Sequence, residues 1–81
     1  MKLEQLNKLM FITNEFEKHA KLEMNLQAFK TGFCDKVSNN PESPLQKGIA
    51  EAIKKTQETC VSLQNQLAEY LQDIGAKAVG N

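Results

Sequence analysis

The sequence predicts an all-α protein, an antiparallel two-helix hairpin that packs in the manner of a coiled coil. Two runs of apolar side chains recur every three or four residues, which is the spacing of one helix face. A cluster of prolines and small polar residues separates these runs. The sequence shows no strand-like alternation of useful length and no internal repeat. We therefore interpret residues 1–81 as one helical hairpin domain.

The first apolar run predicts helix one over about residues 2–37. Its members are Leu9, Ile12, Phe16, His19, Leu22, Leu26, Phe29, Phe33 and Val37. Gly32 is the weak point, because glycine inside a helix costs about 1 kcal/mol relative to alanine. From the sequence alone, helix one either bends at this glycine or stops there.

The loop is predicted at residues 38–43, and helix two follows it. Ser43 is a favourable N-cap, Pro44 suits the first helical position, and Gln46 completes a capping box. Gly75 can adopt the left-handed conformation that ends helices, so helix two is predicted over about 44–74 with a frayed tail at 75–81. The seam of helix two steps alternately by four and three residues: Ile49, Ile53, Thr56, Cys60, Leu63, Leu67, Tyr70 and Ile74.

A loop this short forces the two long helices to fold back on one another. With the loop as the hinge, Phe16 is expected level with Leu67, and Leu26 level with Gln57. The residues predicted to form the hairpin seam are Ile12, Phe16, Leu26, Ile53, Leu63 and Leu67.

The same register separates the two cysteines. Cys34 is expected level with about residue 49, roughly 16 Å along the axis from Cys60. A disulfide needs Cα atoms within about 7 Å, so the hairpin cannot form one internally. Two free thiols favour a reducing compartment. Cys34, near the loop, is the predicted reactive thiol, whereas Cys60 lies on the seam and is expected to be inert.

Composition and charge limit the classes of function. Ten basic and ten acidic side chains give zero net charge, so neither nucleic acid nor an anionic membrane is an expected partner. No stretch approaches the roughly 20 apolar residues of a membrane span. The first residues lack the features of a cleavable signal peptide. We expect a cytoplasmic protein.

No group of residues predicts catalysis or metal binding. His19 and Glu23 lie one turn apart, with Cys60 nearby in the predicted register, but this mixed set has no recurring ligand spacing. A packed histidine is the expected role of His19. The carboxylates of Glu15 and Glu17 are expected on a solvated helix face, without the cleft that acid–base chemistry needs. We predict no enzymatic activity, cofactor, metal or small-molecule substrate.

The chain holds more apolar residues than two seams can bury, which predicts a second covered face. The residues predicted for this outward contact are Leu3, Leu6, Met10, Phe11, Val61 and Leu71. Either a second copy or a helical partner would cover them. The expected function is protein–protein interaction through helix–helix packing, as a homo-oligomer or as an adaptor or regulator of a partner protein.

The loop also resembles that of type III secretion needle subunits. Residues 35–44 hold an Asp-Lys-Val triplet followed by a Pro-x-x-Pro segment, as in the turn between that family's two helices. Asp73, Ile74, Gly75 and Ala76 resemble the family's C-terminal Asp-hydrophobic-x-Ala pattern. The resemblance implies a filament subunit, or a small helical co-chaperone of such a machine, with a subunit exported without a cleavable signal.

Overall fold

The structure is a computed structural model that describes the backbone of residues 2–80 and the side chains of residues 2–75. Its elements, in chain order, are α1 (Leu3–Phe29), a π-helical segment (Lys30–Cys34), α2 (Asp35–Val37) and α3 (Pro44–Gly80). Helices α1 and α3 pack against one another, and no strand is present in residues 2–80. The predicted all-α hairpin is confirmed.

Local hydrogen bonds explain where the long helices begin. At α1, Oε1 of Gln5 accepts the backbone N–H of Lys2 at 2.9 Å. At α3, Oγ of Ser43 accepts the N–H of Gln46 at 3.2 Å, and Pro44 is the first helical residue. Each bond satisfies a backbone donor that has no partner within the helix.

Helix α3 does not end near Ile74. It continues through Gly75 to Gly80, and Gly75 does not adopt a positive φ angle. The left-handed conformation is available to glycine but is not imposed by it, and alanines at 76 and 78 favour a helix. The side chains of the predicted tail after Gly75, and all of Asn81, lie outside the described residues.

The π-helical segment changes which residues of the first half face α3. Up to Lys30 the inward-facing line steps by four and three: Ile12, Phe16, His19, Glu23, Leu26 and Lys30. The next position of a regular helix would be Phe33, but a π turn adds one residue. Cys34 is therefore fully buried, while Phe33 is exposed. Leu22, Phe29, Phe33 and Val37, predicted on the seam, are all exposed.

Two hydrogen bonds between the helices show the same extra residue. Nε2 of Gln57 donates to Oε2 of Glu23 at 2.9 Å, and Nε2 of Gln46 donates to Oδ1 of Asp35 at 2.8 Å. Twelve residues separate Glu23 from Asp35, whereas eleven separate Gln46 from Gln57. Gln57 thus bonds three residues away from Leu26, its predicted neighbour. The pair Gln46–Asp35 beside the loop is already two residues out of the predicted register, and the π turn adds the third.

The core is small and lies next to the loop. Cys34, Ile49 and Ile53 form it, with Leu26 and Leu45 packed against them. The molecule measures 59 × 17 × 13 Å, and its radius of gyration is 17.9 Å, against about 12 Å for a compact chain of this length. Its accessible surface is 6091 Å², against about 4,900 Å² for a compact protein of the same mass. The hairpin buries little surface on its own.

Candidate interaction surface

The predicted seam residues lie between the helices. Ile12 and Ile53 are buried, and the other four, Phe16, Leu26, Leu63 and Leu67, are partly buried. Cys34, beside the loop, is fully buried, and Ile12, toward the open end, is 4% exposed against 8% for Ile53.

The polar side chains of the seam are satisfied within the hairpin. Oγ1 of Thr56, a buried residue, donates to the carbonyl oxygen of Ala52 at 2.8 Å. Among the side chains of residues 2–75, no buried nitrogen or oxygen lacks a hydrogen-bond partner. Thr56 therefore donates its hydroxyl within its own helix.

His19 also bonds to its own helix. Its Nδ1 donates to the carbonyl oxygen of Glu15 at 2.8 Å, and Glu23 accepts its bond from Gln57. Within the described part of the chain, no three His, Cys, Asp or Glu side chains are placed to hold a metal ion. His19 and Glu23 each take part in a hydrogen bond within the hairpin.

The two thiols reverse their predicted order of exposure. Both cysteines are free, as the separation along the hairpin predicted. Cys34, the predicted reactive thiol, is 0% exposed, whereas Cys60 is partly exposed. The π turn is the cause, because it rotates Cys34 inward and places it against Ile49 and Ile53.

The six residues predicted for outward contact are all exposed, but they do not share one face. Leu3, Leu6, Met10, Phe11, Val61 and Leu71 each keep at least two fifths of their surface in solvent. Leu6 and Phe11 are five residues apart on α1, which turns their side chains about 140° from one another. A single rigid partner helix cannot cover both.

Phe11 aligns instead with two residues that the sequence analysis placed on the seam. Leu22 lies eleven residues after Phe11, about 20° from three full turns, and Phe29 lies eighteen residues after it, about five full turns. The three side chains are 64%, 45% and 47% exposed. We call Phe11, Leu22 and Phe29 the α1 flank; it is roughly 27 Å long.

Phe33 lies at the loop end of the α1 flank. Its ring stacks on that of Phe29, with centroids 5.2 Å apart and planes 19° from parallel. Stacking of this kind contributes about 0.5–1.5 kcal/mol beyond area burial. The stack therefore restricts the side chains of Phe29 and Phe33.

The apolar surplus belongs to the first half of the chain. Among the side chains that the structure describes, nine large exposed apolar residues precede the loop and two follow it. The two on α3 are Val61 and Leu71. Most large apolar residues of α3 lie on its seam and are buried or partly buried, whereas α1 also exposes many away from its seam. The unpartnered surface is on α1.

A shallow groove lies between the two helices, toward the open end of the hairpin. Nζ of Lys8 sits 4.6 Å from the centroid of the Tyr70 ring, a cation–π contact that closes one side of the groove. The groove holds about 270 Å³ and is lined by Lys8, Ile12, Gln66, Glu69, Tyr70 and Asp73. Its walls carry both signs of charge, which gives no preference for an ionic ligand.

Comparison with known proteins gave no match: no family model, no curated protein and no solved structure is significantly similar to this chain. Within the described residues, no helix is both long enough and apolar enough to cross a membrane. The α1 flank therefore has to be interpreted from the geometry of this chain alone.

Proposed function

We propose that this protein acts without catalysis, by packing its hairpin against another helical surface. It would do so as a homo-oligomer or as an adaptor or regulator of a helical partner protein. One observation carries this proposal: α1 exposes the phenylalanines and leucine of its flank, while the seam residues of α3 are buried or partly buried. An apolar face on one helix of a hairpin is the feature that a further helix would cover.

The exposed area supports association. The hairpin exposes about 1,200 Å² more surface than a compact protein of its mass. Burial of apolar surface favours binding by about 25 cal/mol per Å², less the ordering costs of association. A partner that covers part of this excess would stabilise the hairpin as well as bind it.

The charges of the surface support a protein partner. The net charge is zero, and exposed ion pairs such as Lys47–Glu42 and Lys55–Glu51 neutralise neighbouring groups. A balanced surface has no extended positive field to attract nucleic acid or anionic lipid. Recognition then depends on apolar contact and shape.

The resemblance of the loop to needle subunits supports a second candidate, a filament subunit or its co-chaperone. In this structure Pro41 lies in the loop that joins the two long antiparallel helices, and Pro44 begins α3, as that resemblance implies. A filament uses head-to-tail contacts that do not close, whereas a regulator or adaptor forms a closed assembly. Growth of mass with concentration would favour the filament.

The test is light scattering after size exclusion over a hundredfold range of concentration, with helicity measured by circular dichroism. Phe11→Asp should leave helicity intact and abolish association, whereas Leu67→Asp on the seam should unfold the hairpin. Gln64→Asp, at an exposed site on α3, is the matched control and should change neither property. Equal unfolding by Phe11→Asp and Leu67→Asp would contradict the assignment of the faces and the proposed function with it.

A further inference from the structure

We propose that the loop end of the hairpin exchanges between two helical registers, and that the carboxylate of Asp35 holds the register seen in the structure. In this observed register the π turn places Cys34 in the seam. In the other, regular register the turn is α-helical, which places Phe33 in the seam and turns Cys34 outward. The exchange opens the loop end to a thiol reagent without unfolding it. This inference does not depend on the proposed function.

Two exposed apolar residues lie one position before two inward-facing residues at the loop end. Phe33 precedes Cys34, which is buried, and Val37 precedes Ser38, which is partly buried. Phe33 and Val37 are 49% and 60% exposed. Seam positions of a regular helix recur after three and four residues, so from Lys30 they fall at 33 and 37. Loss of the extra residue of the π turn therefore moves both apolar side chains into the seam together.

Polar contacts that hold the π turn meet at Asp35. Nζ of Lys30 lies 3.1 Å from Oδ1 of Asp35, and Nε2 of Gln46 donates to the same oxygen at 2.8 Å. Side chains five residues apart on a regular helix point about 140° away from one another, so the π turn is what brings Lys30 and Asp35 side by side. In the regular register, Cys34 takes the place of Asp35 beside Gln46. Both contacts of the carboxylate are then lost.

The second hydrogen bond of Gln46 can be kept in either register. Its Nε2 donates to the backbone carbonyl oxygen of Ser38 at 2.8 Å. Every residue has such a carbonyl, so that of Val37 replaces it when the helix end turns by about 100°. The loop, residues 38–43, absorbs this rotation. The two registers therefore exchange the contacts of one carboxylate for the burial of two apolar side chains, and these contributions oppose one another.

The packing around the π turn permits the movement. Nothing outside the local helix lies within 4 Å of the position that a Cβ of Gly32 would take, so no packing contact fixes the centre of the turn. A phenyl ring is larger than a thiol, so the last turn must also move away from Ile49 and Ile53. Within residues 2–80, no further element lies behind this turn to resist the movement.

The exchange couples the thiol to the apolar surface at the end of the α1 flank. In the observed register the ring of Phe33 stacks on Phe29 and Cys34 is covered. In the regular register Phe33 leaves this stack and the thiol is uncovered. A molecule that binds the exposed ring of Phe33 thus selects the π register and protects Cys34.

The first test is the effect of urea on the alkylation of Cys34, followed by intact-mass spectrometry of a Cys60→Ser chain. N-ethylmaleimide is used where the rate is proportional to its concentration, so that the rate reports the open population. The exchange covers apolar surface as it exposes the thiol, so we expect less than about a twofold change in rate between 0 and 1 M urea. Global unfolding would raise the rate about fivefold or more. Any change above twofold would overturn the inference.

The second test compares Val37→Thr with Val61→Thr in the same Cys60→Ser chain. Both valines are exposed, and threonine keeps the branched shape, so neither change should alter the urea midpoint of unfolding. Position 37 becomes buried only in the regular register, where a hydroxyl is unfavourable. Val37→Thr should therefore slow the alkylation of Cys34 at least about threefold, and Val61→Thr should not. Weaker slowing, or equal slowing by both variants, would overturn the inference.

The third test removes the carboxylate that holds the π turn. Asp35→Ala should raise the rate of Cys34 alkylation at least about threefold and leave it insensitive to urea. Glu51→Ala is the matched control, because Glu51 also pairs with a lysine, Lys55, but lies on α3. It should leave the rate unchanged. An unchanged rate in Asp35→Ala, or a faster rate that rises steeply with urea, would overturn the inference.

Discussion

Gln46, at the start of α3, donates from its Nε2 to Oδ1 of Asp35 at 2.8 Å and so joins the two halves of the hairpin beside the loop. The same amide nitrogen donates to the carbonyl oxygen of Ser38, also at 2.8 Å. Gln46 is buried, whereas Asp35 is exposed, so the amide is shielded from water and the carboxylate is not. One side chain at the start of α3 therefore hydrogen-bonds both α2 and the first residue of the loop.

Replacement of Gln46 tests the strength of this connection. We expect Gln46→Ala to lower the free energy of unfolding by about 1–3 kcal/mol, because Ser38 and Asp35 lose a buried donor. Urea unfolding measures the change. Gln57→Ala is the control. Gln57 is exposed and makes one hydrogen bond, to Glu23, so its replacement should lower the free energy of unfolding by no more than about 0.5 kcal/mol. Equal losses would mean that the Gln46 bonds do not anchor the loop.

The pH dependence of stability provides a second prediction. The hydrogen bond from Gln46 and then that from Lys30 lower the pKa of Asp35 below its ordinary value of 3.8. Because the folded pKa is depressed, the carboxylate stabilises the fold above the unfolded pKa, and this contribution is lost as the pH falls through the folded pKa. Wild type should therefore unfold at a higher temperature than Asp35→Asn at neutral pH.

Thermal unfolding between pH 2 and pH 7 checks this prediction. The difference between wild type and Asp35→Asn should begin to shrink as the pH falls below the unfolded-state pKa of about 4. It should be lost once the pH has also fallen through the lower pKa of the folded carboxyl. A difference that stays constant down to pH 2 would show that the charge of Asp35 does not stabilise the fold.

Regularity explains which parts of the fold could be predicted from the sequence. The α3 seam keeps one four-three spacing from Ile49 to Ile74, and a capping signal with a proline marks its start. These local features agree with one another, so the hairpin and the start of α3 were accessible without a structure. The end of α3 was not, because Gly75 permits a helix to end without requiring it.

The inward-facing residues of the first half of the chain could not be predicted as well as those of α3, because two lines of apolar residues run along α1. At three points the sequence predicts the more hydrophobic of two neighbouring residues for the seam, and each prediction is wrong: Leu22 over Glu23, Phe29 over Lys30 and Phe33 over Cys34. Glu23 reaches the seam because Gln57 binds its carboxylate, and Cys34 reaches it because the π turn rotates it inward. Neither a bond across the helices nor an inserted residue has a signature in local hydrophobicity.

The π turn itself leads to the third prediction. Deletion of Gly32 should convert Lys30–Cys34 to a regular α-helical turn while Cys34 keeps its place in the seam, since a π turn is one inserted residue. The helix also loses a glycine with no packing contact around its Cα, so stability should stay within about 1 kcal/mol of wild type or rise.

Deletion of Lys21 is the control for Gly32, because Lys21 is exposed and lies in the regular part of α1. This deletion should rotate the part of α1 before position 21 by about 100° relative to the part after it, so that the two parts can no longer both face α3. Urea unfolding followed by circular dichroism compares the two deletions. If both disrupt cooperative unfolding equally, the π turn has a role beyond holding one extra residue.

The burial of the two thiols provides the last prediction. Because Cys34 is fully buried and Cys60 is partly exposed, N-ethylmaleimide should modify Cys60 first in the native protein. Cys34 should react only through opening of the loop end, so its rate reports the free energy of that opening. Ile53→Ala removes packing against Cys34 and should raise its labelling rate more than that of Cys60. Peptide mass spectrometry separates the two sites. Faster labelling of Cys34 than of Cys60 in the native protein would contradict this prediction. It would mean that the loop end, with its core of Cys34, Ile49 and Ile53, opens readily and that the π turn does not keep Cys34 buried.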